Sequence, residues 1–299
     1  MLKTEIYCKT TSPLFMAGVD KNEPEIRATG IKGVMRYIWR ATQCAEDLRD
    51  LRDKEGKLFG NADGDNTRVS PWRMQVITEN CNAGRNDMLP YRSGSERGGR
   101  LSAPSIAPGS SFTVRIIGGS GETQHQSIVR LFVLTCMLGG FGRRSRKGMG
   151  TVTVERIDGT GREVSAANTI DNCLSLLNHV AERDIYILDE NESLISGTRK
   201  GRNYPYIEKV MLYRSLRGIR AGDLQKIIGD AAHNNKRDNP WDKFLGSAKP
   251  RFASSLLIST IPSARESFDC IVTQLYCTED PVAKNRDNFL TLLSGEVKR

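Results

Sequence analysis

Apolar and polar positions alternate along LKTEIYCKT (2–10), with Ile6 and Cys8 between polar neighbours, which predicts a strand at the start of the chain. TSPLFMAGVDKNEPEIRAT (11–29) breaks the pattern, and Pro13, Gly18 and Pro24 mark it as a loop. From about Gly30 to Asp53 the apolar residues Ile31, Val34, Met35, Ile38, Ala45 and Leu48 keep helical phase, with Thr29 as N-cap. RVSPWRMQVITE (68–79) reads as a strand interrupted early by Pro71, and residues 80–110, rich in Gly, Ser, Asn and Arg, as irregular chain. SSFTVRIIGG (110–119) alternates at Phe112, Val114 and Ile116. SIVRLFVLTCMLGG (127–140) is apolar around the whole helical circle, so it predicts a helix buried on most sides. MGTVTVERI (149–157) is the next strand.

That order, strand–helix–strand–strand–helix–strand, is the βαββαβ ferredoxin-like unit, the layout of an RNA-recognition domain. A boundary at DGTGRE (158–163) divides the chain into 1–158 and 159–299. The second part offers helices at 168–182 and 221–234, a strand at 204–216, paired strands at 249–261 and 266–277, and a closing helix at 285–295. The fold class expected is α+β, with two ferredoxin-like (RRM-like) domains, the second less regular.

Composition adds limits. The 299 residues are 38% hydrophobic and 26% charged, values of a globular chain with room for two cores. Lys and Arg outnumber Asp and Glu by 44 to 35, a net +9 that suits a polyanionic partner. Neither a signal-peptide core nor an apolar run of membrane-spanning length stands out, so a cytoplasmic protein with no membrane contact is expected. Seven dispersed Cys without a C-x-x-C predict reduced thiols and neither disulfide framework nor zinc site.

Three constellations carry candidate chemistry. GGFGRRSRKGMG (139–150) spaces Gly140, Gly142, Gly148 and Gly150 as G-x-G-x5-G-x-G around Arg143, Arg144, Arg146 and Lys147. It fits neither the dinucleotide fingerprint nor a Walker loop, so no nucleotide cofactor is expected. Two readings stay open: a loop whose backbone N–H groups approach a phosphate chain, or a solvated basic turn. On the first helix, Lys32, Arg36, Trp39, Arg40 and Gln43 lie away from the apolar stripe. There a base-stacking, phosphate-holding face competes with a Trp packed under a neighbouring segment. Arg27 precedes that helix, where an anion also meets the helix N-terminus. Residues 199–220 hold seven cations against Glu208, with Tyr204, Tyr206 and Tyr213 interleaved. Single-stranded RNA, a basic protein–protein surface and a strand with one solvated face all fit that run. His125, His179 and His233 adjoin no nucleophile, and NADGDN (61–66) lacks the closing Glu of a calcium loop, so catalysis and metal binding are unsupported.

TSPLFMAGVDKNEPEIRATGIKGVMRYIWRA (11–41), LFG (58–60), APGSSFTVRI (107–116) and the Gly-rich loop resemble, in order, the RAMP superfamily. The resemblance is to the first RAMP subunit of the type III-B CRISPR (Cmr) effector. RFASSLLISTI (251–261) adds a scattered match in the second half. The chain departs from that pattern at Ser12, inserted before Pro13, at Ala17 and at Tyr37–Ile38. The resemblance implies a non-catalytic subunit that holds the 3′ region of single-stranded crRNA beside other RAMP subunits in a complex that targets RNA. It implies that Lys32, Arg36, Trp39 and Arg40 hold and stack RNA and that Gly140 to Gly150 follow its backbone. A RAMP endoribonuclease that processes or cleaves RNA is the alternative.

Overall fold

The computed structural model describes residues 1–62, 67–89, 101–201, 203–214, 219–238, 244–248, 251–263, 267–276, 289–291 and 293. Four strands form the first sheet: β1 (Lys3–Thr10), β2 (Trp72–Asn80), β5 (Ser111–Gly118) and β6 (Val152–Gly159). Their order is β2-β5-β1-β6 and the pairings are antiparallel, as a ferredoxin-like unit requires. Alternation is the cause: Thr4, Ile6, Cys8 and Thr10 of β1 point inward, as do Phe112, Val114 and Ile116 of β5. Two further strands, β3 (Ala83–Asp87) and β4 (Ser102–Ile106), pair as a hairpin within the stretch expected to be irregular.

The expected long helix is two helices, α1 (Ala28–Thr42) and α2 (Leu48–Phe59). Apolar phase continues through the break, so periodicity alone joins them. The chain turns because Cys44 adopts a left-handed φ of 43° and Asp47 caps α2, its carboxylate accepting from Arg49 N at 2.8 Å. The second half holds the break open: Tyr204 Oη accepts from Ala45 N at 2.6 Å, and Tyr186 Oη donates to Thr42 O at 3.0 Å. The N-cap of α1 is Arg27 rather than Thr29, with no side-chain cap and no acid in the first turn.

Helix α3 (Glu122–Leu138) has eleven of its 17 residues buried, matching its all-round apolarity. It lies in the middle of the molecule, against α1 and β6 of the first half and α4 (Ile170–Ala181), β12 (Leu256–Pro262) and β13 (Phe268–Leu275) of the second. His125, fully buried on α3, fastens this arrangement: Nδ1 lies 2.6 Å from Gly118 O and Nε2 2.7 Å from Thr4 Oγ1, which accepts from Gly161 N at 2.8 Å. A structural histidine is what the sequence predicts there.

The second sheet runs β12-β13-β9-β8-β7, with β7 (Tyr186–Asp189), β8 (Leu194–Gly197) and β9 (Ile207–Tyr213). Strand β9, α5 (Ala221–Asp238), β12 and β13 reproduce the first three strand positions of a ferredoxin-like unit. The fourth place is taken by β8, which precedes β9 in the chain; this is the irregularity of the second unit. The β7–β8 hairpin was not foreseen from sequence. Two short strands, β10 (Ser247–Ala248) and β11 (Arg251–Phe252), pair separately.

Both faces of this sheet are covered. Leu257, Ile261, Ile271 and Leu275 join the core around α3, while Leu256, Ile258, Cys270 and Val272 pack with Leu224 and Ile228 of α5, and with Phe289 and Leu293. Cover on both faces explains why LLISTI (256–261) is buried at every position, polar Ser259 and Thr260 included. The two halves therefore share one core, and residues after β6 stay tied to β1 through Thr160 N and Lys3 O at 3.0 Å.

Candidate nucleic-acid interface

The Gly-rich loop leaves α3 with Phe141 fully buried and stacked on Phe132, ring centres 6.3 Å apart. Its backbone is fastened to the protein. Phe141 N donates to Gly150 O at 2.8 Å, Arg143 N to Phe15 O at 2.8 Å, Gly150 N to Pro13 O at 3.0 Å and Gly148 N to Ile258 O at 3.0 Å. A Cβ at Gly150 would collide with the Phe141 carbonyl, and one at Gly142 with the Phe15 carbonyl, both at positive φ. Gly140 is packed as closely against Met149 and Gly150. These glycines serve first to let the loop cross the Pro13–Phe15 segment and β12. The N–H groups of Phe141, Arg143, Gly148 and Gly150 are thereby donated within the protein and are not free to cradle phosphate.

Side chains of the loop divide. Arg143 is exposed, whereas Arg144, in a left-handed turn at φ 61°, and Arg146 and Lys147 are half-buried. Arg146 donates through Nη1 to Ser254 O and lays its guanidinium 4.8 Å from the centre of the Tyr37 ring. Met16 sits between the loop and α1: it lies within 3.4 Å of where a Cβ would stand at Gly30 and at Gly142, and its Sδ is 3.2 Å from Arg27 N. Exposed Arg27, the uncapped start of α1 and Arg143 are thereby gathered around one residue.

Lys32, Arg36, Trp39 and Arg40 are placed otherwise than expected. Helix α2 folds back over their side of α1, and Trp39 is buried edge-on to Phe59, which in turn meets Trp72 (centres 6.1 and 5.8 Å apart). Arg36 and Arg40 both grip the buried carboxylate of Glu55. Lys32 reaches Ser70 Oγ at 2.8 Å and lies 4.3 Å over Trp72; burial, and then the nearby Arg36, lower its pKa. The base-stacking role expected of Trp39 is thus corrected to a packing contact between α1, α2 and β2, while Lys32, Arg36 and Arg40 stay partly exposed. Its residue types, Trp beside cations, suit both roles, and the deciding partner, Glu55, lies on a helix the periodicity did not separate.

The open face of α1 is its glycine side. Gly30, Gly33, Val34 and Tyr37 line a cavity of about 250 Å³ with Gly139, Gly140, Ser145 and Arg146. Tyr37 and Arg146 also border a second cavity of about 290 Å³, whose other walls include Tyr204, Phe252 and Tyr276. Among the described residues, no His, Asp or Glu lines either cavity. In the basic run, Arg199, Lys200, Lys209, Arg214 and Arg220 are exposed, and Arg202 and Arg217 lie outside the described residues. The interleaved tyrosines mostly turn inward: Tyr206 is buried against Tyr276, and burial pushes the Tyr213 hydroxyl up to about 12. Residues 63–66 of NADGDN and most of 285–295 also lie outside the described residues.

The ordering of these parts, a Gly-rich loop strapped to the Thr-Ser-Pro-Leu-Phe segment after β1 of a ferredoxin-like sheet, coincides with a family match: the model of the RAMP superfamily covers residues 7–153. A curated relative, CRISPR system Cmr subunit Cmr1-2 of Pyrococcus furiosus, is 38% identical over 53 residues, which span 17% of this chain and 28% of that protein's length. The crystal structure of Cmr1 from Pyrococcus furiosus in its apo form matches with a TM-score of 0.66 at 17% identity, over 99% of this chain and 97% of that one. A chain of the type III-B Cmr-β complex bound to cognate target RNA matches with a TM-score of 0.60 at 11% identity, over 99% of both. At such identities the likeness is one of fold: the double ferredoxin-like arrangement extends along the whole chain. Among the described residues no helix is long and apolar enough to cross a membrane.

Proposed function

We propose that this chain is a non-catalytic crRNA-binding subunit of a type III-B (Cmr) effector that targets RNA. It holds the 3′ region of the guide and contacts neighbouring RAMP subunits. The observation that carries the reading is the groove between the glycine face of α1 and the Gly-rich loop, lined by Tyr37 and Arg146, which also wall the neighbouring cavity at Tyr204. Gly33 leaves its surface open, with no atom within 4 Å of where a Cβ would stand, so a sugar–phosphate chain can lie against the helix. Arg27 and Arg143 supply exposed charge beside the start of α1. The fold shared with Cmr1 and with a chain of an RNA-bound Cmr-β complex supports the same reading.

Fluorescence anisotropy with single-stranded crRNA tests this. Wild-type protein is expected to bind with sub-micromolar affinity and a steep salt slope, and Arg27→Ala/Arg143→Ala to reduce that slope by about two phosphate contacts. Unchanged affinity and slope in the double variant would remove the groove from consideration. Cleavage of labelled CRISPR-repeat RNA that disappears when one His is replaced would overturn the non-catalytic role.

A further inference from the structure

We infer that the cavity bounded by Tyr37, Arg146, Tyr204 and Tyr276 receives one nucleobase turned out of the RNA strand held in the groove; this rests on the RNA-binding reading above. At about 290 Å³ it lies at the lower end of ligand pockets, which begin near ~300 Å³, so it suits a single base and not a folded oligonucleotide.

Its walls have the right chemistry. Tyr37 with the Arg146 guanidinium over it stands on one side, and Tyr204, Phe252 and Tyr276 on others, with Pro205, Ala253 and Leu275 filling between. Flat rings and a guanidinium plane are the surfaces on which unpaired bases stack. Among the described residues Arg146 is the one charged side chain in the lining, and it is already hydrogen-bonded to Ser254 O, which favours a neutral ring over a phosphate. The hydroxyls of Tyr37 and Tyr276 and the amide of Asn203 have no protein hydrogen-bond partner among the described residues, which leaves polar groups for a base edge.

The walls are set before any ligand arrives. Tyr276 is stacked on Tyr206 with centres 4.9 Å apart, and Tyr204 is pinned by Ala45 N at 2.6 Å. Side chains fixed in this way lose little freedom on binding. Tyr37 and Arg146 are walls of both this cavity and the groove along Gly30 and Gly33, so the two lie side by side. A strand following α1 passes the cavity's mouth. Walls from both halves of the chain meet there, so the site exists because the two units share a core.

Single abasic substitutions walked along a crRNA 3′ segment, with binding of the full chain measured at fixed salt, provide the test. In wild type, one abasic position is expected to lose roughly 5- to 100-fold in affinity, the range of one stacked base. Ala253→Trp, at an exposed position and checked by thermal melting, should fill the cavity and erase that position's distinction while leaving the salt slope intact. Tyr276→Phe keeps the stack on Tyr206 and is expected to change which base is preferred there. If wild type binds RNA with a normal salt slope but no position stands out, or the same one stands out in Ala253→Trp, the base pocket is wrong and RNA binding survives. Absence of RNA binding in wild type overturns both. Loss of co-assembly with RAMP subunits by Ala253→Trp, with RNA affinity unchanged, assigns the cavity to a neighbour's side chain and also overturns the inference.

Discussion

Arg40 Nη2 donates to Glu55 Oε1 at 3.0 Å, and the same carboxylate holds Arg36, so one buried acid on α2 anchors the cationic side of α1. Glu55→Ala leaves two guanidinium groups without their anion. Breaking a buried pair costs about 3–5 kcal/mol, and partial exposure of both Arg side chains reduces this to roughly 2 kcal/mol. Urea unfolding checks the value. RNA affinity, measured where the variant remains folded, is expected to stay within about twofold of wild type.

Trp39 makes a sharper case. Its burial between α1 and α2 and its edge contact with Phe59 predict that Trp39→Ala loses about 3–5 kcal/mol of stability. RNA binding should fall only in proportion to unfolding. A selective loss of affinity at unchanged melting temperature would restore the base-stacking role.

How far the sequence could be read depends on how local the cause is. The alternation in β1 and β5 and the uniform apolarity of α3 are local, and each element lies where its pattern predicts. The break after α1 is not local: Tyr186 and Tyr204, more than a hundred residues away, bind Thr42 and Ala45 across it. The Asp47 cap was the readable sign. For the same reason the cations of α1 were visible while their partner was not. Glycines of the 139–150 loop were recognised by spacing, but spacing does not show that Phe15 and Phe141 carbonyls occupy the room a side chain would need.

Ser12 has a specific use. Its Oγ accepts from Thr151 N at 2.8 Å and from Thr151 Oγ1 at 2.8 Å, while Thr151 Oγ1 also lies 2.8 Å from Thr260 Oγ1 and 2.6 Å from Thr11 Oγ1. This buried hydroxyl cluster ties the loop exit to β12 and so joins the two halves. Thr151→Val, nearly isosteric, strands several buried oxygens and should cost about 1–3 kcal/mol. Thr151→Ser keeps the hydroxyl and should recover most of it. Equal losses in the two variants, by chemical denaturation, would mean that packing and not hydrogen bonding matters there.

Glu5 on β1 accepts from Lys3 and from Arg115 on the neighbouring β5, with Arg115 Nη2 2.8 Å away; the contacts with Lys3 and then Arg115 hold its carboxyl below the ordinary 4.5. Asp53 is lowered from 3.8 in the same way, first by Lys57 and then by Arg68. A carboxylate whose folded pKa is depressed adds stability above its unfolded pKa. That contribution is lost as pH falls through the folded value. Both side chains are partly solvated, so the effect is small and weakens with added salt. The melting temperature of Glu5→Gln should therefore lie below wild type near neutral pH, and the gap should close as the pH drops well under 4.5. A gap that stays constant across that range would show that the Gln side chain disturbs the sheet by shape and that the Glu5 charge contributes nothing.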